Sequence, residues 1–234
     1  MTRKDQAPRP ARRGRYHHGD LREALIQAAV ELLGERGAEA FSMAEASRRL
    51  GVAVSAPYRH FADRDALLAA VALRAAGLLG EQLDRTAASG TPAQRLAAAA
   101  RAYVHFADDQ RPLFQALAGS GLGKDSHPEI ARAAEAIAAA FLSPAAELVS
   151  GGETAAARLT SAIVATAHGH AMLMLDGMFG SGHHAAEAAA EQAAAATLAL
   201  ISGRDSLTPP ATDRLPRDKL RLPPNTRICA PDIR

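Results

Sequence analysis

Apolar residues recur at intervals of three and four along most of the chain, the spacing that places them on one face of an α-helix. One such run over residues 21–33 follows Asp20, which can cap a helix, and stops at Gly37. A second run follows Ser42, with a glutamate three residues later, and ends at Gly51. The pattern predicts two helices near the start of the chain, the second only about two turns long.

Helical signals continue to about residue 201. A tight corner at Gly51 and Val52 precedes a third short helix over Val54–His60, and Asp63 caps a long fourth helix. The last two helices are expected at about 153–179 and 184–201. Further starts, each marked by a capping residue or an early proline, lie at Thr91, Arg111 and His127. Aromatic residues make up only 4% of the chain, so sheets are disfavoured and we predict an all-α fold.

Residues 159–175 contain no Asp, Glu, Lys or Arg. A helix that is apolar on every side has to be buried, in a core or between subunits. A membrane span is disfavoured because the stretch is shorter than ~20 apolar residues and contains Thr, Ser and His. The last helix is nearly all alanine. We therefore expect these two helices to pair with their counterparts in a second chain, as a homodimer.

The segment from Phe41 to Phe61 reads as a helix, a glycine corner and a second short helix. This is the helix-turn-helix pattern, in which the first helix braces across the DNA backbone and the second lies in the major groove. Small side chains at Ala53, Ser55 and Ala56 permit close approach to base edges. The candidate phosphate donors are Arg48, Arg49, Tyr58, Arg59 and His60. An ordinary helical corner with Tyr58 and Phe61 in the core is the alternative interpretation.

Residues at fixed offsets through this motif resemble the DNA-binding domain of the tetracycline-repressor (TetR) family of bacterial transcriptional regulators, over about residues 17–75. They are Gly51, Val52, Tyr58, Arg59, His60, Phe61, Asp63, Arg64, Leu67 and Leu68. The resemblance implies that the bracing helix starts at Ser42 and that Val54–His60 is the recognition helix. It also implies phosphate contacts from Tyr58 and His60.

Two positions depart from the family pattern. Ala53 stands where the family usually has a Ser or Thr whose hydroxyl caps the recognition helix, and Pro57 falls at about its fourth position. The residues expected at DNA are Ser42, Arg48, Arg49, Ala53, Val54, Ser55, Ala56, Pro57, Tyr58, Arg59, His60 and Arg64, with Arg12, Arg13 and Arg15 in a basic N-terminal arm.

The later part of the chain, with His168-Gly169 and Asp176-Gly177, resembles the branch of that family named for a Trp-His-Gly motif, although the chain contains no Trp. The resemblance implies an apolar small-molecule effector. Alanine-rich helices leave room for a cavity among few bulky groups. The expected pocket residues are Phe106, Phe114, Leu117, Phe141, His168, Met172, Met174 and Met178.

Enzymatic alternatives are weaker. The Gly119–Gly123 loop lacks the residues of a phosphate-binding loop, and no hydrolase elbow appears. An all-α metalloenzyme using His105, Asp108 and His168 is the alternative of another class. A core role for His168 is favoured over a ligand contact. We expect no enzyme activity, no cofactor and no metal.

Charge divides the chain more sharply than the net value of +2 suggests. Residues 1–64 sum to +4, residues 65–202 to −5 and residues 203–234 to +3. We expect a flexible basic arm (1–18), a helix-turn-helix domain (19–64), a helical regulatory and dimerisation domain (65–202) and a disordered proline-rich tail (203–234). A single cysteine, Cys229, and a charged N-terminus without a signal sequence indicate a cytoplasmic protein.

The expected function is a DNA-binding transcriptional regulator. We expect a homodimeric repressor that a small molecule releases from a near-palindromic operator in double-stranded DNA, with no membrane partner. A helix-turn-helix protein without an effector is the nearer alternative.

Overall fold

The structure, a computed structural model, describes residues 18–37, 41–86, 89–119 and 128–207. Every secondary-structure element in these ranges is helical, so the predicted all-α fold is confirmed. The α-helices are α1 (His18–Arg36), α2 (Met43–Leu50), α3 (Arg64–Thr86), α4 (Pro92–Asp109), α5 (Arg111–Gly119), α6 (Pro128–Ala146), α7 (Gly152–Leu175) and α8 (His183–Ser202), with 3-10 turns at Pro57–Arg59 and Arg204–Leu207.

Three predicted helix starts carry the expected caps. The Ser42 hydroxyl accepts a hydrogen bond of 3.2 Å from the backbone N–H of Glu45, and the Asp63 carboxylate accepts one of 2.8 Å from Ala66. Thr91 forms a reciprocal capping box with Gln94. Each cap satisfies an N–H that the first helical turn leaves free, which is why these boundaries are readable from sequence.

The α7 boundary differs from the prediction. We expected the helix to continue to Phe179, but it ends at Leu175. Gly177 adopts a left-handed conformation (φ 81°), and the N–H of Met178 donates a 3.0 Å hydrogen bond back to the carbonyl of Leu173. A glycine in this conformation terminates the helix by satisfying its last carbonyls.

The N-terminal helices form a small unit on one end of a larger bundle. α1 packs on α2 and α3, while α4 lies among α3, α6, α7 and α8. α5 contacts α1, α3 and α4, so it joins the two parts. Among the described helices, α3 alone is long and apolar enough to cross a membrane, but 56% of its apolar window is buried in the protein. It is a core helix.

Some predicted features lie outside the described ranges. These are the arm with Arg12, Arg13 and Arg15, residues 120–127 that include most of the glycine loop, and the tail from residue 208.

Candidate DNA-binding surface and regulatory core

α2 is anchored firmly. Met43, Ala46 and Ser47 are buried, and the Ser47 hydroxyl donates a 2.9 Å hydrogen bond to the Met43 carbonyl. Gly51 ends the helix at φ 65°, a conformation that favours glycine, and its N–H bonds to the carbonyl of Arg48. The chain therefore leaves α2 through a fixed left-handed corner.

The segment after this corner is less helical than predicted. In place of a helix over Val54–His60, the structure has a single 3-10 turn, Pro57–Arg59. We call residues 53–60 the recognition turn. Proline lacks an N–H, so the α-helical hydrogen bond from position 57 to the carbonyl of Ala53 cannot form. That carbonyl accepts a 2.8 Å bond from Ala56 instead. No side chain caps the turn, in keeping with an alanine where the family has a hydroxyl.

The turn presents a mixed polar and apolar surface on a buried support. Pro57 and Phe61 are buried, whereas the side chains of Val54 and Tyr58 are 58% and 56% exposed. Ser55 and Arg59 are also exposed, and His60 is half-buried. Pro57, which we predicted to contact DNA, is buried, and this burial disfavours a direct contact by its ring. The ordinary-corner alternative is half right: Phe61 is core, but Tyr58 is not.

Arg49 forms ion pairs within the protein. Its Nη2 donates to both carboxylate oxygens of Glu35, at 2.6 and 2.7 Å, and its Nη1 lies 3.3 Å from Glu31. These hydrogen bonds from Arg49, with its positive charge, hold the pKa of Glu35 below its usual value of 4.5. Arg49 therefore ties α2 to α1 as a brace, and its predicted role at the DNA backbone has a competing partner.

Two further predicted contact residues also have partners. Arg48, which is mostly exposed, pairs with Glu45 on its own helix. Arg64 donates a 3.2 Å hydrogen bond to the Phe41 carbonyl and stands 5.8 Å from the centre of that ring. Sequence reasoning missed Arg22, which lies 5.2 Å over the Phe61 ring and supports the recognition turn from α1. Arg22 and Phe61 are far apart in the sequence, so no local pattern predicts this contact.

The regulatory half contains a polar pair, buried Tyr103 and half-buried His168, inside an aromatic cluster. The Tyr103 hydroxyl and the His168 Nδ1 share a 3.1 Å hydrogen bond. The Phe114 ring packs edge-on against Tyr103 and at an angle against His168, with centroids 5.6 and 5.7 Å away. Burial raises the pKa of Tyr103 to about 12. His168 is thus half-buried with a hydrogen-bond partner inside the protein, and Tyr103 is a neighbour that the sequence did not single out.

The structure brings together only part of the predicted pocket. Buried members are Phe106, Phe114, Phe141 and Met174. Leu117 and His168 are half-buried. Met172 and Met178 are 37% and 72% exposed, so they lie outside the cluster in a single chain.

A cavity of about 210 Å³ opens beside Met174, bordered by Asp108 and Arg111 and by the Gly177–Gly182 turn. The Arg111 guanidinium donates a 2.6 Å hydrogen bond to the Leu175 carbonyl at the end of α7. This contact fixes the start of α5 against the turn that borders the cavity.

The three residues of the metalloenzyme alternative, His105, Asp108 and His168, are not placed as a metal-binding group. His105 Nε2 lies 3.6 Å from Glu187, while His168 faces Tyr103. Within the ranges that the structure describes, no three His, Cys, Asp or Glu side chains are placed to hold a metal ion.

In a single chain α7 is not buried on all sides, which leaves an interface between subunits as the expected place of burial for its outer face. α7 and α8 pack on each other, and both helices expose small and apolar side chains. They are Ser161, Ala165, Met172 and Leu173 on α7, with Ala188, Ala195 and Leu198 on α8. We call these seven residues the outer strip.

Comparison with known proteins agrees with a DNA-binding regulator made of a helix-turn-helix unit and a helical domain. Residues 25–71 match the model of bacterial regulatory proteins of the tetR family. Residues 96–197 match a tetracycline repressor-like C-terminal domain. The chain belongs to the TetR family of transcriptional regulators, whose members are generally non-enzymatic DNA-binding proteins.

Solved structures share the fold. A protein of unknown function from Rhodococcus sp. RHA1 is 30% identical, with 79% of this chain and 97% of that chain covered and a TM-score of 0.67. The regulator PfmR from Thermus thermophilus is 18% identical, with 75% and 97% covered and a TM-score of 0.60. AibR, solved with isovaleryl coenzyme A and operator DNA, is 17% identical, with 75% and 97% covered and a TM-score of 0.60. No curated protein matches the chain.

Proposed function

We propose that this regulator is a homodimeric cytoplasmic repressor that leaves its operator when a small molecule binds. In this proposal residues 19–64 bind DNA, residues 65–202 bind the effector and the second subunit, and the basic arm (1–18) adds phosphate contacts. The observation that carries it is the recognition turn: Tyr58 and Arg59 stand exposed on a support made of buried Pro57 and Phe61. A polar surface on a fixed support is what base and phosphate contacts require.

The exposure of these side chains supports DNA recognition by the turn. The small exposed side chains Ala53 and Ser55 let the turn approach base edges, while Tyr58 and Arg59 donate to phosphates or bases. Two such turns, one from each subunit, would enter successive major grooves ~34 Å apart on a near-palindromic site. Arg48 adds charge beside the turn.

The homodimer is proposed from the outer strip. Its small side chains allow two helices to approach closely, and its exposed Leu198, Met172 and Leu173 supply apolar area that a second copy would cover. The outer strip lies on the last two helices, which we expected to pair.

The effector site is proposed around the aromatic cluster. Tyr103 and His168 give it a polar anchor within apolar walls, a combination typical of small-molecule sites. AibR binds isovaleryl coenzyme A, so an acyl-coenzyme A is the first probe. A regulator without an effector remains the alternative.

The DNA-binding proposal is tested by selecting duplexes from a random library with the purified protein, then measuring affinity for the selected operator. Tyr58→Ala together with Arg59→Ala should lower that affinity at least tenfold, since each good base contact is worth about 1–3 kcal/mol. Arg85→Ala is the matched control, because Arg85 is exposed at the far end of α3. Unchanged specific binding in the double variant would refute the recognition assignment.

The effector and dimer proposals have their own measurements. Isovaleryl coenzyme A should release the operator duplex from the parent protein, and Tyr103→Phe should weaken this response while leaving effector-free DNA binding intact. Equal responses would remove Tyr103 from the site. Release by none of a series of acyl-coenzyme A probes would favour the effector-independent alternative. Light scattering should give twice the 24.4 kDa chain mass, and a monomer would contradict the pairing of α7 and α8.

A further inference from the structure

α1 touches the regulatory half of the chain through a very close contact. Gly34, in the last turns of α1, faces Pro112 in the first turn of α5. A Cβ atom added to Gly34 would lie 2.9 Å from Pro112 Cγ, closer than real Cβ atoms approach other heavy atoms. The neighbour is a ring atom on a helical backbone, so it cannot rotate away as a flexible side chain would. Glycine is the residue that permits this seating of α1 on α5.

α5 carries other contacts on its remaining faces. Arg111 bonds the carbonyl of Leu175 at the end of α7, and Phe114 packs against both Tyr103 and His168. Three residues within one helical turn, Arg111, Pro112 and Phe114, therefore reach α7, α1 and the Tyr103–His168 pair. If a change at the aromatic cluster moves Phe114, α5 moves with it, and Pro112 then displaces α1 at Gly34.

We propose that the Gly34–Pro112 contact positions the DNA-binding helices. It fixes how α1 and α2 are oriented on the regulatory domain, and this orientation sets the affinity for operator DNA. It acts at a distance from the DNA surface, through the orientation of α1 and α2. Its extension to effector response rests on the proposed function above.

The chain offers a matched set of variants. Gly34→Ala introduces the 2.9 Å clash, whereas Gly77→Ala and Gly80→Ala place the same change in α3 where no atom lies within 4 Å of the new Cβ. Pro112→Ala removes Cγ, and the nearest atom to a Cβ at position 34 then is Pro112 Cβ, at an ordinary contact distance of 3.6 Å. Gly34→Ala and Pro112→Ala should thus compensate each other.

The experiment measures thermal unfolding and affinity for the selected operator duplex for the parent, both control variants, both single variants and the Gly34→Ala/Pro112→Ala double variant. Gly34→Ala should lower the melting temperature and weaken operator binding on the order of tenfold. Gly77→Ala and Gly80→Ala should melt at or above the parent temperature, because alanine favours helix over glycine, and should bind as the parent does. The double variant should recover to within about twofold of the parent.

Two results would overturn the inference. One is operator binding by Gly34→Ala equal to that of the control variants. The other is a double variant whose loss equals the product of the two single losses, which would mean that the two positions act independently. Failure of the proposed function appears elsewhere, as a parent protein that selects no duplex or ignores every effector probe. If Gly34→Ala does not fold, recovery of folding and binding in the double variant still supports the contact, and no recovery refutes it.

Discussion

α2 and the recognition turn both carry helix patterns in the sequence, yet they fold differently. α2 has a hydroxyl cap at Ser42, a glycine C-cap at Gly51 and a brace from Arg49 to α1. The turn has no side-chain cap and shortens to Pro57–Arg59. The two halves of the motif therefore differ in role. The polar groups of α2 stabilise its position against α1, while Tyr58 and Arg59 in the turn remain exposed to a partner.

The prediction with the largest expected effect compares Arg59 in the recognition turn with Arg49 on α2. Arg59→Gln should weaken operator binding and reduce the slope of log affinity against log salt by about 0.9, the value for one lost phosphate contact. Arg49→Gln should leave that slope unchanged, because the guanidinium is engaged by Glu35 and Glu31. Affinities measured from about 50 to 300 mM salt decide the matter. A slope that Arg49→Gln reduces as much as Arg59→Gln does would place Arg49 at the DNA backbone.

A smaller effect compares the two helix starts. Ser42→Ala should lower the free energy of unfolding by about 1 kcal/mol, because the N–H of Glu45 loses its acceptor. Ala53→Ser should raise it by less than about 0.5 kcal/mol, since the N–H of Ala56 already bonds to the Ala53 carbonyl and Pro57 has none to offer. Denaturant unfolding measures both. A full gain of about 1 kcal/mol would show that the missing cap, and not the proline, shortens the turn.

The smallest effect concerns acid stability. The pKa of Glu35 is lowered by its hydrogen bonds from Arg49, so its contribution is present above the usual value of 4.5 and is lost as pH falls through the folded-state pKa. Melting temperatures of the parent and Glu35→Gln should therefore differ near neutral pH and converge below pH 4.5. Curves that stay parallel through this range would remove the brace as a contributor to the stability of α1 and α2.

The sequence predicted most helix starts, which depend on neighbouring residues, but the cap expected at Asp20 is wrong because α1 already begins at His18. Caps at Ser42, Asp63 and Thr91 act within three positions of themselves, and all three hold. The end of α7 was missed because the pattern stayed apolar past Gly177, and a glycine is ambiguous until its backbone conformation is known.

The sequence did not reveal side-chain contacts that depend on a distant partner. Arg49 meets Glu35 fourteen positions away, and Tyr103 meets His168 sixty-five positions away. Neither pairing leaves a trace in local spacing. The exposure of Met178 likewise follows from where α7 stops. Tyr58 is exposed, as a phosphate contact would require, while its neighbours Pro57 and Phe61 are buried.

One helix connects the two halves without interruption. α3 has 23 residues and is therefore about 35 Å long. Its first turn, which Asp63 caps, adjoins the recognition turn, and its body packs on α4, α5 and α6. A tilt of about 5° at one end of such a rod displaces the other end by about 3 Å, nearly the rise of one base pair. Even a tilt of α3 too small to change a cavity in the bundle noticeably would therefore displace the recognition turn by about the spacing of one base pair.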